Sequence, residues 1–325
     1  MQINGRAFLA PMSGITDVAM RRIACRFGAG LAVSEMVASD HYARGEEEAR
    51  LRAEGADLAF HVVQLAGRDP RWMGEAARLA EASGATIIDI NMGCPAKKVT
   101  GGYAGSALMR APDLALRLIE ATVAAVAIPV TLKMRLGWDE ASLNAADLAR
   151  QAEAAGVAMV TIHGRTRRQL YTGKANWSAI RAIKDAVTIP VVANGDCANA
   201  QDASAMLAAS GADAVMIGRA AVGQPWLVGA VAGALDQRIV AEPPATERRD
   251  AALEHLESLL GQMGERSGLR HARKHLAAYA DHARAPSPGT AQSDRLRLVT
   301  SDNPREVRSL LASFFEDRPA CSEAA

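Results

Sequence analysis

The sequence predicts an α/β fold in which a (β/α)8 TIM barrel is followed by a small all-helical C-terminal domain. Short apolar runs rich in β-branched residues recur along the chain, each followed by a polar turn and an Ala/Leu-rich helical pattern. The runs are apolar throughout rather than alternating, as expected for parallel strands covered on both faces. After residue 240 only helical periodicity remains. These observations together favour a barrel with a helical appendage.

The predicted strands are eight in number, which favours a closed barrel over the alternative of a doubly wound open sheet. They are Ala7–Met12, Leu31–Val37, Phe60–Leu65, Thr86–Met92, Pro129–Arg135, Met159–His163, Pro190–Asn194 and Ala214–Gly218. Helices are predicted between them, for example over Arg71–Ala82. Another is predicted over Leu143–Ala155, with Ser142 as N-cap and Gly156 as C-cap.

The domain boundaries follow from the change in pattern. The barrel domain covers residues 1–240, and Ala241–Thr246 (AEPPAT) is predicted to be a linker. The helical domain covers residues 247–316, with helices over Arg248–His282 and Pro304–Phe315 separated by a Pro/Ser/Gly-rich stretch, Pro286–Ser293. Residues 317–325 are predicted to be a disordered tail.

Composition excludes several classes of protein. The chain has 325 residues, 49% of them hydrophobic, and 37 Lys and Arg against 36 Asp and Glu. These values argue against disorder, collagen, coiled coil and a protein that coats nucleic acid non-specifically. No apolar run reaches the length of a membrane span and no secretory signal is present, so a cytoplasmic protein is expected. The four scattered cysteines predict neither a disulfide framework nor a metal site.

Polar residues follow the carboxyl ends of the predicted strands, where barrel enzymes carry their chemistry. Gly195 and Gly218 allow a ligand to approach the backbone, and with Arg219 they indicate a phosphate site, although tight turns would also use these glycines. The side-chain amide of Gln64 suits the amide edge of a flavin ring. The buried ammonium of Lys133 suits the edge of the ring that becomes anionic on reduction. The alternative for Lys133 is an ion pair with Asp89 or Asp196.

Cys94 lies between Gly93 and Pro95 in the longest strand-to-helix loop of the barrel. A lone cysteine is usually a small core residue. In a loop over the expected cofactor it is instead a candidate for proton transfer or nucleophilic attack. Cys25, Cys197 and Cys321 lack such a context.

Taken in order, the strand-end strings resemble those of the flavin-dependent tRNA-dihydrouridine synthases, and most of all the bacterial B-type branch, which includes proteins first named for nitrogen regulation. The resemblance covers about residues 3–283. It rests on Ala10-Pro11-Met12, Gln64-Leu65-Ala66-Gly67, Asp89-Ile90-Asn91-Met92-Gly93-Cys94-Pro95, Lys133-Met134-Arg135, His163-Gly164-Arg165-Thr166-Arg167, Asn194-Gly195-Asp196, Gly218-Arg219 and Arg273-Lys274-His275.

The resemblance implies a barrel that binds FMN and reduces the C5–C6 bond of specific uridines in tRNA, with NADPH as reductant and NADH as the alternative. Hydride would pass from flavin N5 to C6, and Cys94 would give a proton to C5. The implied flavin residues are Pro11, Met12, Ser13, Gln64, Lys133, His163, Asn194, Gly195, Asp196, Gly218 and Arg219. Asn91 and Arg165 would contact the uracil, which must be extruded from the folded RNA.

Basic residues give the expected RNA-binding surfaces. Lys97, Lys98, Arg135, Arg165 and Arg167 follow strands 4 to 6 on one rim, and Arg270 and Lys274 share one face of the C-terminal helix. A solvated helix face is the alternative for Arg270 and Lys274.

The rival functions are a small-molecule flavin reductase, such as a dihydroorotate or dihydropyrimidine dehydrogenase, and a non-catalytic regulator or RNA chaperone. A monomer is expected. Ala277-Ala278 replaces the Gly-Trp of many relatives, which leaves the target uridine open.

Overall fold

The computed structural model describes residues 3–55, 57–283 and 288–316. Eight parallel strands in these residues form a closed barrel in chain order, and the predicted TIM barrel is confirmed. The strands are β1 (Ala7–Leu9), β2 (Leu31–Ala38), β3 (Val62–Ala66), β4 (Ile87–Met92), β5 (Val130–Arg135), β6 (Met159–His163), β7 (Val191–Asn194) and β8 (Ala214–Ile217). The predicted disordered tail and Pro286 lie outside the described residues.

Ten α-helices follow or connect the strands of the barrel in the described residues. They are α1 (Val18–Arg26), α2 (Ser39–Ala43), α3 (Glu47–Ala53), α4 (Pro70–Ala82), α5 (Lys97–Gly101), α6 (Pro112–Val123), α7 (Ala145–Ala154), α8 (Arg181–Lys184), α9 (Ala200–Ser210) and α10 (Trp226–Leu235). Short 3₁₀ helices span Gly105–Arg110, Ser178–Ile180 and Arg219–Ala221.

Local sequence explains where several helices begin. Asp17 accepts the N–H of Met20 at the start of α1, and Asp69 accepts that of Arg71 at the start of α4. The predicted cap of α7 is wrong: α7 starts after Asn144, and the Ser142 hydroxyl instead donates to Asp139.

The barrel interior contains a cluster of buried apolar side chains, most of which lie at or near the amino ends of their strands. Phe8, Leu31, Val62, Ile87 and Met159 belong to one buried cluster. Every residue of β4 is buried, Asp89 and Asn91 included, as expected for a strand that is covered on both faces. The core therefore leaves the carboxyl ends of the strands for polar side chains.

The chain divides into two compact units. One contains the described residues up to Ala220 together with Leu227–Val240, and the other contains Ala221–Trp226 and the described residues from Ala241 onwards. The second unit holds α11 (Ala245–His282), α12 (Pro288–Thr300) and α13 (Pro304–Ser313), which pack on one another.

Two expectations for this second unit are wrong in detail. The predicted linker ends early, because α11 already begins at Ala245, directly after Pro244. The Pro/Ser/Gly-rich stretch becomes helical from Pro288, since a proline in the first turn needs no hydrogen bond from its nitrogen. Gly264, with φ 74° and ψ 162°, divides α11 into two helical segments.

Among the described residues, no helix combines the length and apolar character needed to cross a membrane.

Candidate active site

The predicted polar residues meet at the carboxyl end of the barrel because the strands are parallel and in register. Arg135 on β5 pairs with His163 on β6, which pairs with Asn194 on β7. Asn91 on β4 pairs with Lys133 on β5. Residues distant in sequence are thereby placed at one height on neighbouring strands.

A chain of hydrogen bonds joins β3, β4 and β5. The Gln64 Nε2 donates to Asp89 Oδ2 at 2.7 Å, and Thr131 Oγ1 donates to Asp89 Oδ1 at 2.6 Å. Asn91 Nδ2 donates to Gln64 Oε1 at 2.7 Å. Burial raises the pKa of Asp89, although the two hydrogen bonds and the charge of Lys133 oppose the rise. The network fixes the orientation of the Gln64 amide.

Lys133 is a buried ammonium whose hydrogen-bond partner is neutral. Its Nζ lies 3.1 Å from Oδ1 of Asn194. Within the part of the chain that the structure describes, Lys133 forms no ion pair with Asp89 or Asp196, so that alternative is not seen. Burial, with the nearby charge of Arg135, lowers the pKa of Lys133 to about 8. Such a group is well suited to an anionic ligand.

Cys94 is half-buried and is the second residue after β4. Its loop is shorter than predicted, because α5 already begins at Lys97. The amide oxygen of Asn91 accepts the N–H groups of Gly93 at 3.2 Å and Cys94 at 3.0 Å. From β5, Arg135 Nε donates to the carbonyl of Gly93 at 2.8 Å. The loop that carries the thiol is thus held from two strands.

The other described cysteines have a different environment. Burial raises the pKa of Cys25 on α1 to about 11. Burial, with the charge of Asp202, raises the pKa of Cys197 to about 12. Both thiols therefore stay protonated at neutral pH, which agrees with a packing role.

Arg165 and Asp196 form an ion pair between the loops that follow β6 and β7. Arg165 is 1% exposed, and its Nη1 and Nη2 reach the two carboxylate oxygens at 3.0 and 2.5 Å. Nε and Nη2 also donate to the carbonyls of Thr172 and Gly173. Although burial alone raises the pKa of Asp196, the hydrogen bond from Arg165 and that from the N–H of Ala175 bring it below its usual value.

His163 lies beside the turn after β7. Gly195 has φ +123°, and a Cβ there would lie 3.0 Å from Cδ2 of His163, so only glycine fits. Burial and the surrounding cations, Lys133 first among them, lower the pKa of His163 well below its usual range. The imidazole is therefore neutral and able to accept or donate one hydrogen bond.

The remaining residues predicted to bind the cofactor lie after β1 and β8. β1 ends at Leu9 and is followed by Pro11 and by a turn that begins at Met12 and includes Ser13. The N–H of Met12 donates to Thr16 Oγ1 at 3.0 Å. After β8, Gly218 leads into the 3₁₀ helix that begins at Arg219. The Arg219 guanidinium is largely exposed and lies 3.2 Å from Asp196.

The comparisons with known proteins assign a family. Residues 8–303 match the family described as Dihydrouridine synthase (Dus). The chain belongs to the dihydrouridine synthase family. It is accordingly an enzyme, a flavin-dependent oxidoreductase, as the sequence predicts.

Two relatives extend this likeness over nearly the whole chain. A probable tRNA-dihydrouridine synthase of Rhizobium leguminosarum bv. phaseoli is 54% identical, covering 96% of this chain and 95% of the relative. The tRNA-dihydrouridine synthase B of Xanthomonas axonopodis pv. citri is 49% identical, covering 98% and 97%. The predicted resemblance to this family and to its B-type branch is confirmed.

A solved structure shares the fold alone. Histamine dehydrogenase from Rhizobium sp. 4-9 aligns with a TM-score of 0.51 at 16% identity, covering 81% of this chain and 50% of that chain.

The basic residues predicted to contact RNA differ in their exposure. Arg135 and Arg165 are buried and bind backbone carbonyls of nearby loops. Lys97 and Lys98 are exposed on α5, and Arg270 and Lys274 are exposed on α11 in the other compact unit. Arg167 is half-buried with its guanidinium 4.8 Å from the ring of Trp138. Their predicted contacts with RNA stay predictions.

Sequence reasoning missed two residues of this site. Tyr171, 52% exposed, has its ring 6.2 Å from that of His163 and 4.9 Å from the guanidinium carbon of Arg219. Its place shortly after the His163 string is a signal that could have indicated it. Ser106, which contacts the backbone of Cys94, carries no such signal.

Proposed function

We propose that this enzyme reduces the C5–C6 double bond of uridines in tRNA to dihydrouridine. The observation that carries the proposal is the near full-length likeness to relatives named tRNA-dihydrouridine synthases, at 54% and 49% identity. This likeness favours RNA over the free pyrimidines of a small-molecule flavin reductase, and catalysis over a regulatory or chaperone role.

FMN is the cofactor we propose, and the residues at the carboxyl end of the barrel fit it. Lys133 is a buried cation without a carboxylate partner among the described residues, which suits the anionic edge of a reduced flavin ring. Gln64 presents an amide held in one orientation by Asp89. The residues we propose to hold the cofactor are Pro11, Met12, Ser13, Gln64, Lys133, His163, Asn194, Gly195, Asp196, Gly218 and Arg219.

In this proposal Asp196 acts on the phosphate indirectly. A carboxylate repels a phosphate, and Asp196 is already paired with Arg165 and Arg219. It orients the Arg219 guanidinium, which is exposed and can form a charge-assisted contact with the phosphate. The backbone N–H groups after β7 and β8 supply further donors.

When bound, FMN would supply a hydride for C6 of the uracil, and NADPH would be the reductant that restores the reduced flavin. Addition at C6 places negative charge on C5 and O4, and C5 then needs a proton. Cys94 supplies it: the S–H bond breaks, the C5–H bond forms, and solvent later reprotonates the thiolate. A cation near the uracil oxygens would stabilise the developing charge.

Substrate access requires that the uridine leave the RNA stack. Asn91 keeps one amide hydrogen beyond its bond to Gln64, and we propose that this hydrogen contacts the uracil edge. Lys97, Lys98, Arg167, Arg270 and Lys274 would contact phosphates, with binding that weakens as salt rises. The contacts of Arg165 with Asp196, Thr172 and Gly173 favour holding the loop after β6 over direct contact with uracil.

The proposal also includes a monomeric, metal-free enzyme in the reducing cytoplasm.

The test is mass-spectrometric mapping of dihydrouridine in tRNA from cells with and without this gene. Loss of dihydrouridine at defined positions, restored by the wild-type gene, supports the function and identifies the target. An unchanged tRNA profile would refute it. Purified enzyme should be yellow and release FMN on denaturation, whereas a colourless chain that FMN cannot reconstitute would refute the cofactor.

A further inference from the structure

Both polar groups of the Cys94 backbone are held by defined partners. Its N–H donates to Oδ1 of Asn91 at 3.0 Å. Its carbonyl accepts two hydrogen bonds from a single residue, Ser106, through the backbone N–H at 3.0 Å and through Oγ at 2.9 Å. Ser106 comes twelve residues later in the chain and is fully buried.

The segment that carries Ser106 approaches Cys94 as closely as the backbone allows. Gly105 precedes Ser106 at the start of the 3₁₀ helix Gly105–Arg110 and has φ +60°. A Cβ on Gly105 would lie 2.8 Å from the carbonyl oxygen of Cys94 and 3.2 Å from its Cβ. Only glycine permits this approach, which brings the Ser106 donors to the Cys94 carbonyl.

These contacts determine where the thiol can lie. The position of Cβ is set by the backbone N, Cα and C atoms, so fixing the N–H and the C=O of Cys94 leaves χ1 as the remaining freedom of Sγ. A proton donor displaced by about 1 Å can lose about 100-fold in rate. The geometry of the peptide is therefore as important to proton transfer as the thiol itself.

We propose that Ser106 is a positioning residue that holds Cys94 for proton transfer. The inference rests on the proposed role of Cys94 as proton donor. Ser106 would affect the rate of proton transfer through the Cys94 backbone, without touching the substrate. The close approach of its segment also explains the requirement for glycine at position 105.

Ser210 provides a matched control. It is also fully buried in the barrel unit, and its Oγ donates to a backbone carbonyl, that of Met206, at 2.6 Å. It ends α9, which leads into the amino end of β8. Ser210→Ala should therefore cause a comparable loss of stability without disturbing Cys94.

The first measurement is the single-turnover rate at which the pre-reduced enzyme forms dihydrouridine in tRNA. Ser106→Ala should lower this rate about 10-fold, since one of two anchors of the carbonyl remains. The solvent deuterium isotope effect should increase because proton transfer becomes slower, while flavin content and reduction of the flavin by NADPH stay unchanged. Ser210→Ala should match the wild type in all of these.

The second measurement does not depend on activity. Iodoacetamide labelling of Cys94, quantified on its peptide by mass spectrometry, should be about 3-fold faster in Ser106→Ala, because the loosened peptide exposes the thiol. Labelling of Cys25 and Cys197 should be unchanged. Gly105→Ala displaces the same carbonyl by another route, with an expected loss of about 100-fold in rate, and tests the inference if Ser106→Ala does not fold.

The outcomes separate this inference from the proposed function. If Cys94→Ala retains the wild-type rate, the proposed role of Cys94 is wrong. If Cys94→Ala loses activity while Ser106→Ala equals Ser210→Ala in rate, isotope effect and labelling, the positioning role of Ser106 alone is overturned.

Discussion

Charged side chains have different environments at the two ends of the barrel. At the amino end, carboxylates from the helices hold the chain that enters the strands. Glu81 of α4 accepts the N–H groups of Ala127 and Ile128 before β5, and Glu153 of α7 accepts those of Thr188 and Ile189 before β7. The hydrogen bonds from Thr188 lower the pKa of Glu153, so its charged form is favoured in the folded chain.

At the carboxyl end, where hydrogen bonds from Arg165 and Ala175 lower the pKa of Asp196, burial dominates at three other residues. It lowers the pKa of Lys133 to about 8 and that of Arg135 to about 10, and it raises the pKa of Asp89. Burial therefore disfavours the charged forms of these residues in the folded chain, and for Lys133 the structure provides one neutral hydrogen-bond partner to offset that cost. The comparison shows that the amino end of the barrel stabilises the fold, whereas the carboxyl end buries the charge of Lys133 at a cost in stability and leaves it available for a ligand.

The largest effect is expected at Cys94. Cys94→Ala should lower kcat for dihydrouridine formation by about 10²–10⁴-fold, because general acid catalysis contributes this much. Stability and flavin reduction by NADPH should be unchanged. The control is Cys197→Ala, which removes a buried thiol outside the site and should keep wild-type kcat. Wild-type turnover of Cys94→Ala on tRNA would remove Cys94 from the reaction.

Lys133→Met tests whether the carboxyl end trades stability for binding. Below about pH 8 Lys133 is protonated in both the folded and the unfolded chain, and burying its charge lowers the free energy of unfolding. Between about pH 8 and pH 10.5, the ordinary pKa of a lysine, Lys133 is protonated in the unfolded chain but neutral in the folded chain. The stability of the wild type therefore rises with pH over this range. The flavin-stripped variant should therefore be about 2 kcal/mol more stable at neutral pH, a gain that shrinks as pH rises.

Urea unfolding of the flavin-stripped chains at several pH values measures this difference, and Lys133→Met should also retain less flavin. Lys184→Met is the control at the amino end, where Nζ of Lys184 lies 2.8 Å from Asp213. It should gain no stability. A Lys133 variant that is less stable than the wild type at neutral pH would contradict the comparison.

Charge reversal on α11 tests whether residues beyond the barrel rim contribute to tRNA binding. Arg270→Glu and Lys274→Glu should each weaken tRNA binding a few-fold and reduce the salt dependence of the affinity, since each removes about one phosphate contact. Filter binding across a salt series measures both. Arg305→Glu, an exposed reversal on α13, serves as control. Equal affinities for all three variants would show that this face is merely solvated.

The smallest effect is expected at the amino end. Glu153→Gln should lower Tm by a few degrees at neutral pH with unchanged kcat, because the neutral amide accepts the Thr188 and Ile189 hydrogen bonds less strongly. Since the folded pKa of Glu153 is lowered, its stabilisation is present above the ordinary value of 4.5 and is lost as pH falls through the folded value.

Thermal melts over a pH series measure the Glu153→Gln effect, and the difference from wild type should vanish in acid. Glu140→Gln, at an exposed carboxylate, is the control. A change in kcat for Glu153→Gln with no change in Tm would reverse the assignment of the two ends.

Much of the fold could be predicted because its signals are local. The strand Met159–His163 is predicted with its observed bounds, since a short apolar run between polar turns in a βα unit indicates a buried strand. Predictions failed where a local signal competes with packing, as at Ser142, whose hydroxyl bonds Asp139 rather than capping α7. The helix over Pro288–Thr300 was missed because proline and glycine suggest a turn although proline also begins helices.

The barrel, the family and the set of polar residues at the strand ends, with Cys94 among them, could all be predicted from the sequence. They follow from periodicity and from strings of adjacent residues. The contacts that each polar group makes depend on the folded structure. Ser106 bonds the Cys94 carbonyl and Arg165 bonds Asp196 because strand register and loop packing bring together residues far apart in the chain. No local pattern encodes such pairings, since hydrogen-bond partners are selected by distance in space.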